Sequence, residues 1–296
     1  MIRDAAWLFL ELLVLFVGVS FALTLLRRRL GDDRLRTLMG SSPLRAALRG
    51  IAIGFITPFC TYSAIPVLVS FRQAGVSPAG YVAFIVAAPV LDPVLFGALA
   101  IIVGFPAAAI YLGVAFVAAL ALAMLAEKAD LERFMKPLGT MGTSGGPDSG
   151  IMSAPWRGIR REWRPALRSS RALLRTMLPL LVVGVGIGMA ITSFLPAETV
   201  ARVPGLSGDA AIPAAAAVGT LFYINTEIFI PIADALRSSG IGIGAVAALT
   251  IAGAGANIPE FVILSRLTTR RILAVFGGYV FVVAMGGGAL VQLFVA

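Results

Sequence analysis

Residues 61–75 read TYSAIPVLVSFRQAG, and 165 positions later residues 226–240 read TEIFIPIADALRSSG. Each is an apolar stretch with a Pro inside it and a Gly at its end. A Pro within a hydrophobic helix frees backbone groups that lipid cannot satisfy, so such a break is tolerated only where protein or a water-filled cavity covers it. Two equivalent breaks in one chain point to a central site between two related halves, the arrangement of a membrane transporter.

Composition sets the class in which those breaks must be read. With 59% hydrophobic and 13% charged residues over 296 positions, the chain is too apolar for a soluble domain and far longer than one membrane span. The sequence pI near 10.7 would suggest nucleic acid if the basic residues formed a solvated face. They cluster instead between hydrophobic stretches, where they act as topology signals. The first apolar run, 5–26, lacks a small-residue cleavage site before its basic end and reads as a span. One Cys rules out an internal disulfide framework, and the absence of His removes the usual zinc ligand and general base. HExxH and P-loop patterns are absent, as are the Tyr-Asp and Gly-x-Gly-Asp pairs of intramembrane aspartyl proteases. The chain reads as no enzyme, with no cofactor and no metal.

Eight hydrophobic segments follow: 5–26, 44–71, 76–103, 106–125, 173–194, 212–236, 241–264 and 272–295. The longest polar interruption, 127–171, is basic and contains TSGGPDSG, a flexible-linker composition. It separates a first membrane repeat, 1–126, from a second, 172–296. The pairs Gly54/Gly219, Thr61/Thr226, Ile65/Ile230, Pro66/Pro231, Arg72/Arg237, Gly75/Gly240 and Ala83/Ala248 keep the 165-residue offset. Charge then sets the crossing pattern. If segments two and six are re-entrant hairpins, with tips near 58–61 and 223–226, then 21 of the 24 Lys and Arg fall inside. If all eight segments span, only 11 or 13 do. The positive-inside rule favours the hairpins, so each half crosses three times and the second half is inserted upside down. The expected fold is all-α: two inverted repeats, each of three transmembrane helices plus one re-entrant hairpin, in the cell inner membrane with the basic linker cytoplasmic.

Polar groups at the tips carry the expected site. The first tip offers Cys60, Thr61 and Ser63 between the breaks at Pro58 and Pro66; the second offers Asn225, Thr226 and Glu227 ahead of Pro231. Cys60, Thr61, Ser63, Asn225 and Thr226 are the substrate-binding candidates. Glu227, an ionisable group in an apolar segment, is the proton-coupling candidate. A second pair of breaks holds Asp92 in APVLDPV and, at the same offset, Asn257 in GANIPEF, with Pro259 and Glu260 beside it. Half-helix ends offer N–H groups and carbonyls to ions, so four interruptions could build one polar site in a dry bundle. The Gly runs near 184–188 and 286–288 read as close-packing positions.

At PFCTYSAIPVL followed by APVLDPV, and again at TEIFIPIADAL followed by NIPEFVIL, the chain resembles the ArsP/YraQ-like predicted permeases. The resemblance implies a permease, and some members of that family export trivalent organoarsenicals. It carries over to Cys60, Ser63, Pro66, Pro259 and Glu260. The family block often holds two Cys, as in PFCSCSAIP; here Tyr62 stands in the second place. Soft trivalent arsenic is held better by two or three thiolates than by one, so the cargo is not fixed by the resemblance. The expected function is a secondary transporter exporting a small solute, a trivalent organoarsenical or another thiophilic compound among the options. The alternative is a channel or a membrane subunit that recruits a cytoplasmic partner through the linker. The expected partners are the lipid bilayer and a small-molecule substrate, without nucleic acid, and a homo-oligomer is compatible with the chain.

Overall fold

In the computed structural model the described residues are 10, 13–14, 17–22, 24–26, 29, 31–57, 61–136, 159–194, 210–221, 233, 236 and 240–295. They are helical apart from turns and a single bridge, Met135 to Thr268. In chain order the α-helices are α1 (Asp32–Met39), α2 (Pro43–Ile56), α3 (Thr61–Gln73), α4 (Pro78–Val90), α5 (Pro93–Ile102), α6 (Phe105–Lys128), α7 (Ile159–Phe194), α8 (Ala211–Leu221), α9 (Ile243–Gly255), α10 (Ile258–Leu267) and α11 (Arg270–Val295).

Local chemistry sets the ends. Ser42 caps α2 by accepting from the Arg45 N–H at 3.4 Å, with Pro43 at the first position where a missing N–H is harmless. After α3 the chain reverses at Gly75, φ +72°, where the Val76 N–H donates to the Phe71 carbonyl at 3.0 Å. Gly240, φ +77°, does the same, with Ile241 donating to Leu236 at 3.1 Å. That six-to-one bond needs a left-handed residue, which Gly supplies without strain. Pro66 corrects the sequence reading: α3 runs through it without a break. A Pro in the second turn removes one backbone bond without ending the helix. The fifth helix also begins earlier than its apolar segment, since α7 starts at Ile159 within the basic stretch.

Among the described residues, four stretches are long and apolar enough to cross a membrane: Pro78–Ile102, Phe105–Lys128, Ile243–Val262 and Arg270–Val295, of 25, 24, 20 and 26 residues. At about 1.5 Å per residue each reaches about 30 Å or more, the thickness of a bilayer core. The protein is an all-helical, multi-pass membrane protein. Outward-facing Ile101, Val117, Val275, Val282 and Leu293 are exposed, as lipid-facing side chains are.

Helices α4 and α9 form the centre. Every residue from Gly244 to Gly255 is buried, and α4 is buried from Ala79 to Val90 except at Pro89. Both are apolar all round, the pattern of a helix enclosed on every side. Helix α2 packs on α4 in parallel, with Ala46 near Gly80, Gly50 near Ala83 and Gly54 near Ala87. Parallel packing forces the chain to return along α3 before α4 begins. Glycine permits the approach: a Cβ on Gly50 would stand 2.3 Å from the Gly80 carbonyl oxygen. Gly219 of α8 meets α9 as Gly54 meets α4; a Cβ there would lie 2.9 Å from Ala252 Cβ and 3.2 Å from Gly253 N. Helix α11 runs antiparallel to α6, with Gly287 against Val114 and the Tyr279 hydroxyl donating to the Ala118 carbonyl at 2.7 Å. Gly287 and Gly288 are close-packing positions, whereas a Cβ on Gly286 would meet nothing.

Candidate site at the two helix breaks

The first break follows from Asp-Pro. A residue before Pro is pushed out of the helical region, so α4 ends and Asp92 becomes the cap of α5. Its carboxylate accepts from the Val94 N–H at 3.1 Å and the Leu95 N–H at 3.3 Å. The Val94 N–H is therefore no longer the helical partner of the Val90 carbonyl. The fully buried Tyr111 hydroxyl donates to that carbonyl instead, at 2.8 Å.

The second break is solved differently. Asn257, 0% exposed, caps α10 by accepting from the Glu260 N–H at 2.9 Å, and its amide donates to the Gly253 carbonyl at 3.0 Å. The acid has moved three residues on: Glu260 is 2% exposed, and its Oε2 has no hydrogen-bond partner. Leu95 holds the matching place in α5 and is also 2% exposed.

The breaks lie together. The end of α4 meets the end of α9, a Cβ on Gly255 falling 3.2 Å from Val90 Cγ2, and α10 packs on α3, the helix that leaves the first tip. Asp92, Asn257 and Glu260 are thus placed at the breaks, and Pro259 stands in the first turn of α10. Thr61 and Ser63 belong to the first turn of α3. Cys60, Asn225, Thr226, Glu227, Pro58 and Pro231 lie outside the described residues.

A further polar cluster lies at the face where α3 and α10 end and α4 begins. Arg72 Nη2 is 2.5 Å from Glu132 Oε1, and the Tyr81 hydroxyl donates to Glu132 Oε2 at 2.7 Å. Partial burial pushes the Glu132 carboxyl up, but hydrogen bonds from Arg72 and Tyr81 and the guanidinium charge outweigh it and hold the group below the usual carboxylate range. The strap 129–136 then binds the other half: the Lys136 N–H donates to the Leu267 carbonyl at 2.8 Å and Lys136 Nζ to the Ser265 carbonyl at 2.6 Å. Sequence reading used Arg72 as a topology marker and as the partner of Arg237 in the repeat, and Lys136 only as a topology marker. The signal it passed over is the acid pair Glu127 and Glu132 in a basic stretch.

Above the strap lies a cavity of about 200 Å³ between α4, α6, α10 and α11, lined by apolar groups with the hydroxyl-bearing Tyr81, Thr268 and Tyr279 among them. Of the residues at the 165-residue offset, Leu99, Val103, Tyr111, Val246 and Val291 are buried, whereas Leu290 and Phe294 are exposed.

Comparison with known proteins agrees with this picture. The family described as predicted permease, ArsP_1, matches residues 2–293. The UPF0718 protein YraQ of Escherichia coli is 29% identical over 264 residues, 89% of this chain and 72% of that protein. The UPF0718 protein MJ0584 of Methanocaldococcus jannaschii is 33% identical over 114 residues, so the match spans 38% of this chain and 31% of the archaeal protein. No solved structure matches. The family match takes in both helix breaks and the strap 129–136, and on it the chain belongs to the ArsP_1 family of predicted permeases.

Proposed function

We propose that the protein is a secondary permease of the cell inner membrane in which two inverted halves rock about a central site, exporting a small solute. The observation that carries this reading is the matched pair of capped breaks that meet at Val90 and Gly255. Further equivalences support it. Helices α4 and α9, like α5 and α10, start and stop 165 residues apart. Glu127 accepts from the Ala79 N–H at 2.9 Å, and Gln292, at the same offset, from the Gly244 N–H at 3.1 Å. The antiparallel pairing of α6 with α11 suits an inverted duplication, and the return of the chain along α3 suits a re-entrant hairpin.

In this reading Cys60, Thr61, Ser63, Asn225 and Thr226 contact the solute at the two tips, and Glu227 couples a proton. The substrate is a thiophilic compound, a trivalent organoarsenical in the first instance; one thiol holds such cargo loosely enough to release it. The basic stretch 127–171 faces the cytoplasm. The test is a resistance and proteoliposome screen with trivalent organoarsenicals, soft metalloids and small sulfur compounds. Export of one compound by wild type, lost in Cys60→Ser, is the expected result. Equal transport of every responsive compound by wild type, Cys60→Ser and Glu227→Gln would refute the assignment of those residues.

A further inference from the structure

An ionisable side chain within a membrane span is costly and marks an ion or proton path unless a partner accounts for it. The Glu260 carboxyl accepts from the Asn257 backbone N–H while the Asn257 side chain accepts from the Glu260 N–H, a capping box at the start of α10, yet the buried Oε2 is left without a partner. The equivalent place in α5 needs no acid. Leu95 occupies the matching position in α5, its N–H bonded by Asp92 as the Glu260 N–H is by Asn257, and it is equally buried.

Position adds the path. Leu264, Leu267 and Thr268 of α10 line the cavity above the strap. Glu260 precedes them by four, seven and eight residues, the spacing of one helix face. It therefore stands at the head of the cavity, about 6 Å beyond Leu264 along the axis. The equivalent stripe in and after α5 is Leu95, Leu99, Ile102 and Val103, apolar throughout and buried except at the partly buried Ile102.

We propose that Glu260 is a proton-binding site of this permease, loaded through the cavity from the face that carries Arg72 and Lys136. Among the described residues no three His, Cys, Asp or Glu side chains gather as a metal ion would need, whereas a proton needs one carboxyl. Among the described residues, the charged groups on the helices packed against α10 leave the Glu260 Oε2 without a partner. Arg72 of α3 is held by Glu132. Arg164, Arg168, Arg171 and Arg175 of α7 are exposed, as are Arg270 and Arg271 of α11. Tyr279 of α11 gives its proton to the Ala118 carbonyl, and the buried acid of α7 is Glu162, in that helix's first turn. Glu260 adds a second carboxyl to Glu227, on the side where the cavity opens.

The test uses the full chain in lipid and follows the carbonyl stretch of protonated carboxyl groups by infrared spectroscopy as the bath is stepped between about pH 5 and about pH 9. A band that disappears on alkalinisation is expected in wild type and lost in Glu260→Gln. Glu260→Leu, which copies the packing of Leu95, repeats the measurement in a variant the fold should accept. Leu264→Trp, which fills the cavity, should slow hydrogen–deuterium exchange of that band by about tenfold or more. A band that survives in either folded Glu260 variant, or that ignores pH, overturns the site; undiminished exchange in Leu264→Trp overturns the route. The inference rests on the permease reading for the role of the proton, yet the titration needs no solute. The two can therefore fail separately.

Discussion

Replacing Tyr111 by Phe removes one oxygen and leaves the ring packing in place, which isolates the bond that serves the first helix break. The hydroxyl donates to the Val90 carbonyl at 2.8 Å, and both groups are buried. An acceptor left unsatisfied in a protein interior costs about 1–3 kcal/mol. Hydrogen bonds between membrane helices average less, roughly 0.6 kcal/mol and at most about 1.7, because freed groups find other partners. For Val90 the usual partner is taken, since the Val94 N–H is bonded to Asp92. The cost should then lie near the top of that range, about 1.5 kcal/mol, or about tenfold in the folding equilibrium. Tyr279→Phe is the control. The Ala118 carbonyl that Tyr279 serves lies inside continuous α6 and keeps its helical bond, so that loss should stay within about 0.6 kcal/mol. Denaturant unfolding in lipid or detergent micelles, followed by circular dichroism, measures both. Equal destabilisation by the two variants, or none from Tyr111→Phe, would show that the break does not depend on the tyrosine.

Gly50→Ala should destabilise the protein by about 2 kcal/mol or more, because the new Cβ would lie 2.3 Å from the Gly80 backbone oxygen and the two helices would have to part. Gly113→Ala meets nothing within 4 Å and should be neutral or stabilising by up to about 1 kcal/mol; the same unfolding assay separates them. Acid should loosen the strap. Glu132 is held below its usual range, so its stabilising contribution is fully present above about pH 4.5 and is lost as pH falls through the lower, folded value. Unfolding midpoints of wild type and Glu132→Gln should differ at neutral pH and converge in that acid window; a difference that persists unchanged below it would contradict the pairing with Arg72.

The two breaks satisfy the same structural need with different residues, and that difference bears on how much could be read in advance. The break after Val90 uses Asp92 and Tyr111; the break after Gly255 uses Asn257 for both the cap and a freed carbonyl, with Phe276 where the first half has Tyr111. Asp92, Asn257 and Glu260 were legible as polar groups at breaks, because a cap acts within four residues of itself. Their separate tasks were not legible. Asp92 spends its charge on its own helix, while Glu260 leaves an oxygen free in the protein interior. Pro66 misled because a Pro in the early turns of a helix resembles, in sequence, a Pro that ends one.

The sequence by itself determined that this is a polytopic helical membrane protein, where the Asx-Pro and Gly positions stop and start its helices, and that a 165-residue offset runs through it. Those properties depend on hydropathy and on bonds spanning a few residues. Only the tertiary structure decided that α2 and α4 lie parallel, that Arg72 meets Glu132 sixty residues away, that Lys136 ties the strap to the end of α10, and that a cavity opens beside Tyr81, Thr268 and Tyr279. Such pairings depend on which helices pack side by side, and the local pattern of apolar and polar residues is the same whichever neighbour is chosen.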